Sequence, residues 1–203
     1  EELTRLDAKD FLINYLQDNH INYSDIIDST KRIKYSPSDL CLRDIVINDE
    51  LLKHIFVYNN NVNRLLFNTA SAANSFDLFF RALQDRNCTI EFRVENDNWV
   101  EVNVDNIAAL SNTFKAKIIF KAKIIMPAKN DFFNNKQEII KEIYVVTPFS
   151  PSARGRVNSN PVIHNWRQQN NNQDRSDLLN LIYQSFIRFN QEDLAFLQSL
   201  SVV

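Results

Sequence analysis

Glycine occurs once in this chain of 203 residues, at Gly155, and that scarcity excludes more than any motif present asserts. Glycine supplies the positive-φ turns and close backbone approach that phosphate-cradling loops, dinucleotide folds and sharp nucleophile elbows require. With one copy, neither G-x-G-x-x-G, G-x-x-x-x-G-K-[ST] nor G-x-S-x-G can be written anywhere. Asparagine makes up about one residue in eight instead, and it is the next-best occupant of left-handed turn positions.

Cysteine is nearly as rare. Cys41 and Cys88 alone do not make a disulfide framework, so a reducing cytosol is the expected compartment. His20, His54 and His164 are scattered, with no H-E-x-x-H and no C-x-x-C, so neither a metal site nor a cofactor is expected. No apolar run approaches the roughly 18 residues of a membrane span. The chain opens at Glu1 rather than methionine, which fits removal of a leader or an upstream domain. Charge is balanced as well: 23 Lys and Arg against 25 Asp and Glu leave a net −2. Nothing global then attracts nucleic acid or anionic lipid, and such binding would need a local patch.

What is present is core material. Hydrophobic residues make up 44% of the chain and phenylalanine alone supplies 15 positions, enough for one large domain. Residues 1–86 read as helical: Leu3, Leu6, Phe11, Leu12, Tyr15 and Leu16 fall near one stripe, and Asp49 and Glu50 open a second helix at the positive end of its dipole. Ser36-Pro37-Ser38-Asp39 suits another helix start. A further helix is predicted over 72–86, with Phe76, Phe79, Phe80 and Leu83 on one face.

Near Cys88 the period drops from 3.6 to 2. Cys88, Ile90, Phe92 and Val94 alternate with polar residues, Asn96-Asp97-Asn98 turns the chain, and Trp99 to Val104 alternate again, which predicts a hairpin. An exact repeat follows, Phe114-Lys115-Ala116-Lys117-Ile118-Ile119 and Phe120-Lys121-Ala122-Lys123-Ile124-Ile125. Six is even, so a strand keeps both copies on the same faces, with the phenylalanines and alanines inward and four lysines outward. Glu138 to Val146 suits a fourth strand. Residues 148–172 read as a long irregular loop, and 173–203 as helices again. The expected fold is α+β: an antiparallel meander of about four strands, covered on one face by the N- and C-terminal helices.

Four sets of residues could carry function. Lys115, Lys117, Lys121 and Lys123 form a basic strand face able to bind anions such as phosphoinositide or nucleic acid, although lysines on a strand also discourage edge aggregation. Arg154, Arg156, Trp166 and Arg167 in the long loop combine residue types favoured as protein-contact anchors. Cys41 and His164, with Asn165 beside the latter, are the one thiol–imidazole pair a hydrolase or transferase could use. Cys88, alternating with Ile90 and Phe92, reads as core. Because no catalytic motif is present, the sequence points away from an enzyme and toward a module that binds another protein in the cytosol, with nucleic acid disfavoured. The composition, rich in Asn, Ile and Phe and poor in Gly, is that of an AT-rich coding sequence and fits a pathogen effector in a host cytosol.

Overall fold

The computed structural model describes residues 5–22, 24–32, 42–59, 61–67, 75–93, 98–103, 118–148, 161–170 and 174–200. In chain order these form α1 (Arg5–Asp18), β1 (Ile27–Arg32), β2 (Leu42–Ile47), α2 (Asp49–Lys53) running into a π-helical turn (His54–Tyr58), β3 (Arg64–Leu66), α3 (Ser75–Gln84), β4 (Thr89–Arg93), β5 (Trp99–Val102), β6 (Ile119–Met126), β7 (Ile139–Val146), α4 (Pro161–Gln169), α5 (Arg175–Arg188) and α6 (Gln191–Ser199).

Helix ends show how the chain turns without glycine. After α3, the Asn87 N–H donates to the Gln84 carbonyl at 2.8 Å and the Cys88 N–H to the Leu83 carbonyl at 3.0 Å. That is a Schellman closure, and its left-handed position holds Asn87 at φ 61°. His20 does the same after α1 at φ 54°, and Phe189 after α5 at φ 52°. A left-handed conformation costs a residue with a Cβ about 1 kcal/mol relative to glycine, and the closing hydrogen bonds offset it.

Five strands form the main sheet in the order β3-β7-β6-β4-β5. The β4–β5 hairpin and the strand β7 follow the sequence pattern, but the order is not a meander. β6 pairs with β4, on the side away from β5, so β5 and β6 run parallel with β4 between them. A fifth strand, β3, joins β7 in parallel register. It lies inside the stretch read as helical, as do β1 and β2, which pair in a separate two-stranded sheet with irregular register. Three residues are too few to display a period of two, and Asp44, at φ 50°, interrupts the alternation of β2. The Ser36–Asp39 helix start lies outside the described residues.

The helices do not share one face of the sheet. On the inner face Phe92, Phe120, Ala122, Ile124, Ile143 and Val145 pack with Phe76, Phe79, Phe80 and Leu83 of α3 and with Leu52, Ile55 and Phe56 of the α2 segment. On the outer face, at one end only, Ile119 and Val146 pack with Val162, Ile163 and Trp166 of α4, Leu178 and Ile182 of α5, and Leu197 of α6. Ile119 lies opposite Val146 and Phe120 opposite Val145, so alternation along the pair sends these two sets to opposite sides. α4 also replaces the second half of the expected loop. Pro161 takes the first helical position, where its missing N–H costs nothing, and Val162, Ile163 and Trp166 make a buried stripe behind it.

Two cations tie these layers together. Lys141 Nζ donates to the carbonyls of Ile55 at 2.7 Å and Asn59 at 3.2 Å, closing the C-terminal end of the π-helical turn, and burial pulls its pKa below the usual lysine range. Arg64 on β3 donates to the Ile187 carbonyl at 3.0 Å, with its guanidinium 5.0 Å from the Phe189 ring centre.

Candidate functional site

The outer face of the sheet beyond the C-terminal helices is the surface that the lysine pattern singled out. Strand register places Glu101, Glu91, Lys123 and Glu142 in one row across β5, β4, β6 and β7. Trp99 and Arg93 pair one step along the hairpin, and Lys121 pairs with Tyr144. Lys123 forms an ion pair with Glu91 and lies 4.3 Å from the Trp99 ring centre. Lys121 approaches Glu142 at 3.9 Å and sits 5.0 Å over the Tyr144 ring. Three carboxylates thus stand among three cations on this part of the face. The result is a mixed-charge platform rather than a basic one, and its partly exposed pairs are each worth less than about 1 kcal/mol. Lys115 and Lys117 lie outside the described residues.

Of the arginine and tryptophan set, Trp166 and Arg167 lie among the described residues. Trp166 is 6% exposed, since α4 turns its indole into the core with Leu178, Ile182 and Leu197, so it is not available as a partner-contact plate. Arg167 is half-buried on the same helix, and Arg154 and Arg156 lie outside the described residues. Solvent reaches His164, whose Nε2 is 2.9 Å from the Gln168 amide nitrogen. Its proposed partner Cys41 falls outside the described residues.

The described cysteine, Cys88, is buried, and desolvation pushes its thiol up to about 12 despite the opposing charge of Arg86. At neutral pH it therefore stays protonated and is a poor nucleophile. In native protein at pH 8 the Cys88 peptide should remain unalkylated by iodoacetamide while the guanidinium-unfolded chain reacts fully, as read by mass spectrometry. Rapid native labelling would place Cys88 outside the core. Among the described residues no group of three His, Cys, Asp or Glu side chains is arranged to hold a metal ion.

One surface did not register as a site in the sequence. Along α1, Phe11 is 67% exposed, Leu12 54%, and Ile13 and Tyr15 39% each. The Phe11 and Tyr15 rings, one helical turn apart, stack at 6.4 Å on each other. Ile45 and Val46 of β2 are exposed as well. The apolar stripe was visible as a pattern, but a stripe marks only that something covers it and says nothing of whether the cover is the chain's own sheet.

No protein-family model, no curated protein and no solved structure matches this chain.

Proposed function

We propose that this chain is a protein-interaction module whose docking element is α1. The observation that carries the reading is the exposure of Phe11, Leu12, Ile13 and Tyr15 on a single helix. Large apolar side chains scattered singly over a surface need no explanation, but Phe11, Leu12 and Tyr15 fall within about 100° of one another around the helix and form a patch, with Ile13 on another side. Side chains spaced by one turn, such as Phe11 and Tyr15, are the anchors by which an amphipathic helix lies in a groove of another protein. Fully burying a side chain of this kind contributes on the order of 2 kcal/mol, so three or four of them support specific binding once the cost of association is met. Arg154, Arg156 and Arg167 remain candidate partner contacts. The cytosolic setting and an effector role in a host belong to this proposal too, and they rest on cysteine usage and composition alone. Among the described residues no helix is long and apolar enough to cross a membrane.

The test uses the whole chain with Phe11→Asp and Tyr15→Asp together. A docking helix that is free of the chain's own core should leave the urea-unfolding free energy within about 0.5 kcal/mol of the parent, as for other surface changes. A photo-crosslinking residue placed at Leu12 should capture a discrete partner in cytosolic extract, and the double substitution should abolish that adduct. A loss of several kcal/mol would show that α1 packs on its own domain and overturn the proposal. So would an adduct that survives the substitutions.

A further inference from the structure

Strand β7 outruns the neighbour on one of its edges. β6 pairs with the whole of it, from Ile139 to Val146, whereas β3 pairs only with Tyr144, Val145 and Val146. Successive residues of a strand send their N–H and C=O groups to opposite edges. The Tyr144 N–H donates to the Asn63 carbonyl and the Val146 carbonyl accepts from the Phe67 N–H, both at 2.9 Å. Even-numbered residues of β7 therefore face the β3 side. The β6 register runs unbroken, so Ile140 and Glu142 present their backbone groups to that same side, outside the span that β3 pairs. Among the described residues those groups have no partner.

The side chains along this edge form a pattern of their own. Charged residues usually guard a bare edge, but two adjacent isoleucines occupy the centre of this one. Ile139 is 40% exposed and Ile140 58%. On the outer face of the sheet Ile140 stands beside Ile125, and Glu142 stands two residues along. The Glu142 side chain is 50% exposed, and its contact with Lys121 is loose at 3.9 Å. Glu138, just before the strand, is exposed at the same period. Alternate positions thus read acid, apolar, acid.

We infer that this edge of β7 docks an extended peptide as an added strand, one whose apolar residue is flanked at both alternate positions by lysine or arginine. The peptide backbone satisfies the outward groups of Ile140 and Glu142. Its apolar side chain covers Ile140 and Ile125, and its two cations face Glu138 and Glu142. The pattern reads the same in both directions, so parallel and antiparallel pairing both present it. A second copy of this chain is a poorer occupant. Two-fold pairing centred on Lys141 sets Ile140 against a second Glu142, and pairing centred on Ile140 sets Glu142 against a second Glu138. The site is separate from α1 and does not depend on docking there.

Amide exchange in the whole chain, read by NMR, tests this. In the free protein the Ile140 and Glu142 amides should exchange about 100-fold faster than those of Lys141 and Ile143, which face β6. Millimolar acetyl-Thr-Lys-Thr-Val-Thr-Lys-Thr-amide should slow the two fast amides at least about tenfold, and the same peptide with glutamates for lysines should not. Ile140→Pro removes an N–H that β6 does not use, so the fold should survive while the peptide response is lost. Glu138→Lys with Glu142→Lys, a surface change, should reverse the preference toward the glutamate peptide. Slow Ile140 and Glu142 amides in the free protein, no response to the lysine peptide, or equal responses to both would overturn the site. So would a response that survives Ile140→Pro, or loss of the fold in that variant. Protection that grows with protein concentration alone would assign the edge to a second copy instead.

Discussion

Phe80→Ala should lower the unfolding free energy by about 4 kcal/mol, the usual scale for a fully buried phenylalanine. Phe80 is 0% exposed and stands at the middle of an aromatic cluster. Its ring centre lies 4.9 Å from Phe76, 5.2 Å from Phe79 and 5.0 Å from Phe92, all edge-on. Truncation removes the apolar transfer energy, three favourable ring contacts and the close packing around them at once. Against a typical total of about 5–15 kcal/mol, such a loss brings the native state close to failure. Urea unfolding of Phe80→Ala and Phe80→Leu checks this, the leucine variant retaining more than half of the lost stability. A loss below 1 kcal/mol for the alanine variant would mean that α3 does not seat on this sheet as described.

Asp193→Asn should cost about 2 kcal/mol at pH 7, the scale of hydrogen bonds made to a charged group. Asp193 is buried at the start of α6, and its carboxylate accepts from Arg188 Nη2 at 2.6 Å and from the Asn190 N–H at 3.3 Å. Asn190 Oδ1 in turn accepts from the Asp193 N–H at 2.9 Å, which completes a capping box. Hydrogen bonds from Arg188 hold the carboxyl below its ordinary range, and burial opposes them. A carboxyl depressed in the folded state contributes stability above its unfolded pKa, near 3.9, and loses it as pH falls through the lower folded value. The gap between parent and Asp193→Asn should therefore be flat from pH 7 to about 5 and shrink below about 4. A gap that widened on acidification would refute the assignment.

How much of this was legible depended on where the periodicity was strong. Ile90, Phe92, Phe120, Ala122 and Ile124 alternate cleanly, and all five are buried on the inner face. Phe76, Phe79, Phe80 and Leu83 mark α3 equally well. β3 was unreadable because parallel pairing with β7 through Arg64, Leu65 and Leu66 leaves no local signature. Trp166 was misplaced because Pro161 and the asparagines around it look like a loop, and what makes α4 a helix is the sheet end that its apolar stripe covers. For the candidate site, the lysine pattern was found at once, whereas the pairing of Lys121 with Glu142 and of Lys123 with Glu91 depended on which strands meet.

By itself the amino-acid order determined the element types with strong repeats, the inward facing of Ile90, Phe92, Phe120, Ala122 and Ile124, and the absence of glycine-dependent loops, because each of these follows from backbone geometry within a few residues. Only the tertiary structure decided strand order, the division of helices between two faces, the charge of the outer sheet and the exposure of α1. Those depend on pairings between segments tens of residues apart, where the energy comes from shared burial and no local pattern records the partner.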